Sequence, residues 1–337
     1  MESWKRKSNN SCFLRIERIN TVAKPLICSP ELFYQDLSDK TYIVTGGNSG
    51  IGRITVEQLA KQNAHVVLAC RRVGEGEKCK AEINQENPGR RIDVAELDLG
   101  SLASVRAFAG WFSSSHKKLH GLVNNAGVMN TPFGRTKDGF ETQFGTNHLG
   151  HFLLTDLLLP ILKSSAPARI VNLSSCYHDM AQGREGRIDF SDLNYDTRKY
   201  DGWEAYAQSK LANLLHARHL AKLHADNSIL SVSVHPGWVR TNLIRHSAPT
   251  WVQDFVLLPF LRLGGMIEPW EGAQTTLYAL LSPEIAKHNG AFFSQTGIYR
   301  EKKAQKGGWP LHSPNPNAHD DATAERLYTV SRTLVGL

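Results

Sequence analysis

Tyr206 and Lys210 stand four positions apart in a stretch, 203–224, whose periodicity predicts a helix, so they share one face and lie one turn apart. A tyrosine titrates near about 10 and is a poor acid or base at neutral pH unless a cation beside it favours the phenolate. Lys210 can supply that charge. Such a pair takes a proton from an alcohol, or gives one to a carbonyl, while hydride moves to or from a nicotinamide. The spacing alone arises by chance in many helices, so its meaning depends on what surrounds it. Ser174 and Ser175 follow a predicted strand ending at Leu173, at the carboxyl edge where open α/β sheets bind ligands, and a hydroxyl there can hydrogen-bond a substrate oxygen. Asn147, in Gly145-Thr146-Asn147-His148-Leu149-Gly150, falls in a long helical pattern where a buried amide can hold a water beside Lys210.

A second constellation points to a dinucleotide. The run Thr45-Gly46-Gly47-Asn48-Ser49-Gly50-Ile51-Gly52 follows the strand-like Thr41-Tyr42-Ile43-Val44 and opens a helix. Gly46 permits the tight turn, Gly50 lets backbone approach a pyrophosphate, and Gly52 lets helix pack on sheet. The pyrophosphate then meets free N–H groups and the positive end of the helix dipole. Where many such folds carry an acidic residue for the ribose 2′-hydroxyl, the second strand ends Ala69-Cys70-Arg71-Arg72. A carboxylate repels a 2′-phosphate and a guanidinium accepts it bidentately, so NADP(H) is expected over NAD(H). Asp98, before Leu99, is read either as a neighbour of the adenine or as a helix cap. In Asn124-Asn125-Ala126-Gly127 the small residues let backbone approach the cofactor ribose, and the Asn side chains can tie neighbouring strands together.

These residues need a frame that brings strand ends to one rim. Short β-branched runs at 41–45, 65–69, 93–97, 121–124, 169–173, 230–235 and 290–293 alternate with helical patterns at 51–62, 74–87, 101–115, 140–162, 203–224 and 270–281. That alternation predicts one α/β, doubly wound Rossmann-type domain over 38–300 with a seven-stranded, mainly parallel sheet. Residues 1–37 are read as an N-terminal extension. Residues 301–337 are read as a C-terminal extension packed on the domain, with a final helix at 322–334.

With the glycine-rich turn, the Asn-Asn-Ala-Gly string, Asn147, Ser175, Tyr206 with Lys210 and Pro236-Gly237 in that order, the chain resembles the short-chain dehydrogenase/reductase family over roughly 38–300. Ala69-Cys70-Arg71-Arg72 and Asn147-His148-Leu149-Gly150-His151-Phe152 make it most similar to the retinol dehydrogenase and WW-domain oxidoreductase branch. The resemblance implies a catalytic tetrad of Asn147, Ser175, Tyr206 and Lys210, with Ser174 as the fallback for the serine. It implies cofactor contacts from Gly46, Asn48, Ser49, Gly50, Ile51, Gly52, Arg71, Arg72, Asp98, Leu99, Asn125, Ala126 and Gly127. It adds Tyr206, Lys210 (on the nicotinamide ribose), Pro236, Gly237, Val239 and Thr241. The activity implied is NADP(H)-dependent interconversion of a hydrophobic alcohol and its aldehyde or ketone, and the family leaves room for a homodimer. The chain departs from compact members in the long polar stretch 177–205 between Ser175 and Tyr206, which puts specificity in doubt. It also lacks the apolar N-terminal anchor of membrane-bound retinol dehydrogenases.

Composition narrows the rest. The net charge is +7, and six basic residues (Lys5, Arg6, Lys7, Arg15, Arg18, Lys24) against Glu2 and Glu17 place most of it in the first 30 residues. The body is only mildly basic, which speaks against a nucleic-acid partner. Five cysteines without a CxxC pair fit a reducing, cytoplasmic compartment. No apolar run is long enough to span a bilayer, although organelle targeting or peripheral membrane contact stays open. The apolar stretch 251–267 reads as a lid over a hydrophobic substrate, with a membrane-surface contact or an oligomer interface as the alternatives. His216, His219 and His224 lack a carboxylate or thiolate set, so no metal is expected. Two alternative functions are an NADP(H)-binding regulatory or scaffold protein without turnover and a light-dependent protochlorophyllide reductase-like enzyme.

Overall fold

A computed structural model describes residues 24–181, 183–226, 228–239 and 265–337. Strands β1 (Thr41–Thr45), β2 (His65–Cys70), β3 (Ile92–Glu96), β4 (Gly121–Asn124), β5 (Ala168–Leu173), β8 (Ile229–His235) and β9 (Phe292–Ser294) form one sheet in the order β3-β2-β1-β4-β5-β8-β9. A separate two-residue hairpin pairs β6 (Met180–Ala181) with β7 (Arg184–Glu185). Every pairing in the large sheet is parallel. Parallel strands buried on both faces should read as continuous apolar runs, and the centres of β1 and β2 do, whereas β8 is buried throughout but interleaves Ser231 and Ser233 with its valines.

Because successive side chains point to opposite faces, each strand feeds two cores. Ile43, Val67, Leu122 and Ile170 stand side by side in register and pack under α3 (Leu102–Ser115), α5 (Gly150–Ser164) and α6 (Gly202–Leu223). Val44, Val66, Leu68, Val123 and Val171 turn the other way, under α1 (Gly50–Lys61), α2 (Val73–Glu86) and α7 (Pro269–Leu281). Phe112, Phe144, Phe152 and Phe293 are fully buried between these layers, each contributing roughly 1.5–3 kcal/mol of transfer free energy.

Sheet order fixes where a ligand can enter. The chain builds outward from β1 to β3, then returns to place β4 on the other side of β1, so the strand order reverses between β1 and β4. Their carboxyl ends diverge into a crevice, the position where open α/β sheets bind ligands.

One helix expected at 140–162 is divided. The short α4 (Thr142–Phe144) runs into a π-helical turn, Gly145–Leu149, before α5 begins. Two contacts hold the irregular turn. The Asn147 amide clamps the backbone of Val128, and a Cβ at Gly150 would sit 2.4 Å from the Leu99 carbonyl. The local twist serves tertiary contacts rather than helix propensity.

The polar stretch 177–205 is folded by carboxylates. Asp192 accepts from the backbone N–H groups of Asp196, Thr197 and Arg198, buried Asp179 pairs with Arg300, and Asp201 caps α6 through Trp203 and Glu204. Residues 24–37 dock on the molecule. Cys28 binds Gln274 and Gln62 collects the carbonyls of Leu32 and Gln35. Helix α8 (Asp321–Leu334) lies on α5 and α6, joined by Arg332 to Asp156 and by Arg218 and Lys222 to Asp321. Among the described residues, no helix is long and apolar enough to cross a membrane.

Candidate active site

At the carboxyl end of β1, Gly46 and Gly50 adopt φ of +63° and +54°, conformations that only glycine takes without strain. A Cβ on Gly52 would stand 2.4 Å from the Gly46 carbonyl, so the first turn of α1 packs directly on the loop. Asn48 and Ser49 are half-buried on this loop, and the Ser49 side chain makes no capping bond. The Ile51 side chain is buried, leaving its backbone for the rim. The result is a backbone cradle at the N-terminus of a twelve-residue helix.

The cradle is pinned to its neighbours. Gly46 N–H donates to the Ala69 carbonyl at 2.7 Å, which brings the end of β2 alongside. Arg71 and Arg72 follow, both exposed, and neither pairs with a carboxylate among the described residues. On the other side, Thr45 Oγ1 accepts from the N–H groups of Asn125 and Ala126 at 2.9 Å, and Asn125 Nδ2 donates to the Thr45 carbonyl at 2.7 Å. Asn124 reaches Thr155 and Asn172, so the adjacent asparagines tie β1, β4, β5 and α5 together, as the sequence suggested. Leu99 is buried against Gly150. Of the two roles read for Asp98, capping is corrected. Ser101 caps α3 through Ser104 N–H, while Asp98 accepts from Gly100 N–H and pairs with Lys137 at 3.1 Å.

The Tyr206 side chain is buried on the first turns of α6, and its residue is 8% exposed. Burial pushes the phenol above its ordinary range, and a hydrogen bond with Ser175 opposes that rise. Lys210 is buried one turn on, its Nζ 5.7 Å from the Tyr206 ring centre and donating to the Leu173 carbonyl at 3.1 Å. Burial brings its ammonium down from 10.5 to about 8. The two serines part ways. Ser174 Oγ donates to the Lys210 carbonyl at 2.7 Å, a contact that seats α6 on β5, whereas Ser175 Oγ stands with Tyr206 and accepts from Tyr177 N–H at 3.2 Å.

Asn147 is next to this group, and its amide is engaged by protein atoms on both sides. Its Oδ1 accepts from Val128 N–H at 2.8 Å, and its Nδ2 donates to the Val128 carbonyl and to Ser209 Oγ at 2.9 and 3.0 Å. Ser209 in turn donates to the Tyr206 carbonyl. A Cβ on Gly127 would lie 3.0 Å from Asn147 Oδ1 and 3.4 Å from Lys210 Nζ, so these three residues meet at one point.

Several members of the site carried no signal for a role. His151 bridges the Asn147 carbonyl and Thr45 Oγ1 at 2.9 Å each, and burial lowers its pKa to about 4, so it is a neutral connector between cradle and helix. Its spacing of four from Asn147 was the available clue. Asn213 shares the Leu173 carbonyl with Lys210. Tyr177 and Trp203 stack at 4.7 Å, and both present ring edges to Tyr206.

Beyond β8, Gly237 has φ of +91° and Val239 is buried against Gly272, so Pro236-Gly237 turns the chain under α7. Thr241 and the segment 251–264 of the expected lid lie outside the described residues.

Comparison with known proteins matches this arrangement. The family model for short chain dehydrogenase covers residues 40–184. The chain is 43% identical to retinol dehydrogenase 12 of Bos taurus over 301 residues, covering 89% of this chain and 88% of that one. An uncharacterised protein from Mycobacterium paratuberculosis has a solved structure similar at a TM-score of 0.67 and 33% identity, covering 90% and 96% of the two chains. A short-chain dehydrogenase from Shigella flexneri, solved in complex with NADP, shares the fold at a TM-score of 0.59 and 24% identity over 77% and 98%. The chain belongs to the short-chain dehydrogenase family and is an oxidoreductase of that family.

Proposed function

We propose that this oxidoreductase uses NADP(H) to interconvert a hydrophobic alcohol and its aldehyde or ketone, with Tyr206 as the acid and base. What carries the reading is the burial of Tyr206, Ser175 and Lys210 together beside the strand-order reversal.

The residues at the crevice fit a dinucleotide. The open first turn of α1 suits a pyrophosphate, and the free guanidinium groups of Arg71 and Arg72 suit a 2′-phosphate. Gly127 leaves room for a ribose above Asn147 and Lys210. Asp98, Leu99, Asn125 and Ala126 extend the same rim, with Pro236, Gly237, Val239 and Thr241 assigned to its far end by the family pattern. The bound nicotinamide supplies the hydride in reduction and accepts it in oxidation.

The protein's part is proton handling and orientation. In reduction, Ser175 Oγ donates to the substrate oxygen, and Tyr206 Oη, held protonated by burial, gives it a proton as negative charge develops. Lys210 offsets the phenolate left behind, and Ser209 and Asn147 hold the backbone of α6 in place. Oxidation runs the same proton path backwards. Hydrophobic substrates are favoured by the Tyr177 and Trp203 rings, stacked on each other beside the Tyr206 ring. The retinol named for the Bos taurus relative places retinal among the first compounds to test.

The test is NADPH oxidation with retinal, long-chain aldehydes, steroids and quinones, on the protein and on Tyr206→Phe. Turnover should fall by about 10²–10⁴ in the variant with NADPH binding unchanged. Equal turnover in both proteins would refute the role of Tyr206.

A further inference from the structure

At the opposite, amino-terminal rim of the sheet, His65 opens β2, Asp93 is the second residue of β3, and His116 follows the last turn of α3. His65 Nε2 lies 2.7 Å from Asp93 Oδ2, and His116 Nε2 lies 3.5 Å from the same oxygen. One donor atom from each residue lies within 4.8 Å of the other two. We propose that His65, Asp93 and His116 bind a divalent transition-metal ion, zinc above all, with water or a small anion as the fourth ligand.

The fold brings these residues together for a simple reason. His65 and Val67 point to the same face of β2, and Asp93 stands opposite Val67 in register, so His65 and Asp93 emerge on the face that α3 covers. The end of α3 then delivers His116 to them. Two imidazole nitrogens and a carboxylate oxygen are donors zinc takes at 2.0–2.2 Å, which puts the ligands of a tetrahedral ion roughly 3.3 Å apart. The two distances to Asp93 bracket that separation, so an ion would need only small side-chain movements.

Preorganisation supports a site over a chance meeting. The His116 ring is stacked on Phe112 at 4.4 Å with planes 5° apart and meets the edge of Trp111 at 5.5 Å. Its side chain is 9% exposed and its Nδ1 has no partner among the described residues, which leaves Nε2, directed at Asp93, as its engaged atom. Asp93 is 47% exposed at the mouth of a cavity of about 710 Å³, giving an ion a route in and room for a fourth ligand. Lys80, Lys117 and Lys118 line the same cavity with Glu77. These ammonium groups weaken the attraction for a bare cation but would draw an anion to the metal's open position. The ion would join β2 and β3 to α3, at the far end of the strand that leads to Arg71. Its effect is therefore on the firmness of the sheet edge, not on proton transfer at Tyr206.

The test uses the full chain stripped with a chelator, zinc titrated by calorimetry and cobalt by visible absorption. Asp93→Asn is the key variant, because it keeps the side-chain volume and leaves both histidines of the cluster untouched. His116→Ala is the second. The expected result is one zinc per chain, tetrahedral cobalt bands, and a melting temperature raised by about 5 °C at a hundredfold excess over Kd. Both variants should bind at least roughly tenfold more weakly. NADPH turnover retained in Asp93→Asn would show that the variant is folded. Zinc binding that is absent, or unchanged in Asp93→Asn, or an octahedral cobalt spectrum, would overturn the proposal.

Discussion

Lys210 should make the folded chain less stable at neutral pH, and its replacement by methionine measures by how much. Burial lowers its pKa from 10.5 to about 8. Between those values the unfolded chain binds more protons than the folded one, so this residue makes stability rise with pH across the window. Below about pH 8 the full penalty is present. At about 1.4 kcal/mol per pH unit it is on the order of 3 kcal/mol at pH 7. Against it stands the hydrogen bond from Nζ to the Leu173 carbonyl, worth about 1 kcal/mol. That carbonyl keeps its second donor, Asn213 Nδ2 at 3.0 Å, after the substitution. Methionine is unbranched, only one atom shorter and carries no charge. Lys210→Met should therefore gain about 2 kcal/mol at pH 7 without cofactor, lose most of that gain by pH 10, and lose turnover throughout. Urea unfolding at both pH values, beside NADPH oxidation at neutral pH, reads all three. A variant less stable than the parent at pH 7, or a gain of equal size at pH 10, would refute the argument from burial.

Two further substitutions separate architecture from chemistry. Ser174→Ala should cost about 1 kcal/mol in thermal or urea unfolding, through the lost bond to the Lys210 carbonyl, with little change in kcat. Ser175→Ala should lower kcat by about 10²–10³ at near-normal stability; the reverse pattern would exchange their roles. Arg300→Met leaves Asp179, whose side chain has no exposed surface, without its cationic partner. Urea unfolding should register a loss of about 3–5 kcal/mol. A loss under about 1 kcal/mol would mean that Asp179 is satisfied by backbone alone.

Much of the frame was legible because parallel strands announce themselves. The bounds expected for β1 and β4 match the structure, those for β2, β5 and β8 differ by one residue at one end, and β3 is shifted by one residue, since an apolar run flanked by Gly, Asn or Arg leaves little freedom. The break at Gly145–Leu149 was not legible, because Gly-Thr-Asn-His-Leu continues a helical period and its irregularity comes from Val128 and Leu99, distant in sequence. Tyr206 and Lys210 were legible as a pair by their spacing, but the difference between Ser174 and Ser175 needs the rotation of β5 relative to α6. The bond from the Asn147 amide to Val128 was not legible, because that partner lies on a loop no local pattern connects to it. The histidines grouped by sequence lie along α6, whereas the cluster at the other rim comes from three elements, each contributing one residue with no motif between them.

The carboxyl rim of the sheet leaves polar groups unpaired over a layer that is paired, and that contrast indicates where a dinucleotide belongs. At the carboxyl rim, among the described residues, the first turn of α1 goes without a side-chain cap, Arg71 and Arg72 go without carboxylates, and Lys210 is held at a reduced pKa. Leaving donors and cations unpaired costs stability in the empty protein. Each is of a kind that an anionic, hydroxyl-rich dinucleotide would satisfy. Behind them the polar groups are closely paired: Thr45 with His151, Asn125 with Thr45, Asn147 with Val128 and Ser209. A rigid, satisfied inner layer beneath an unsatisfied surface is the arrangement that fixes a cofactor without rearranging on contact, because the geometry is set before the ligand arrives.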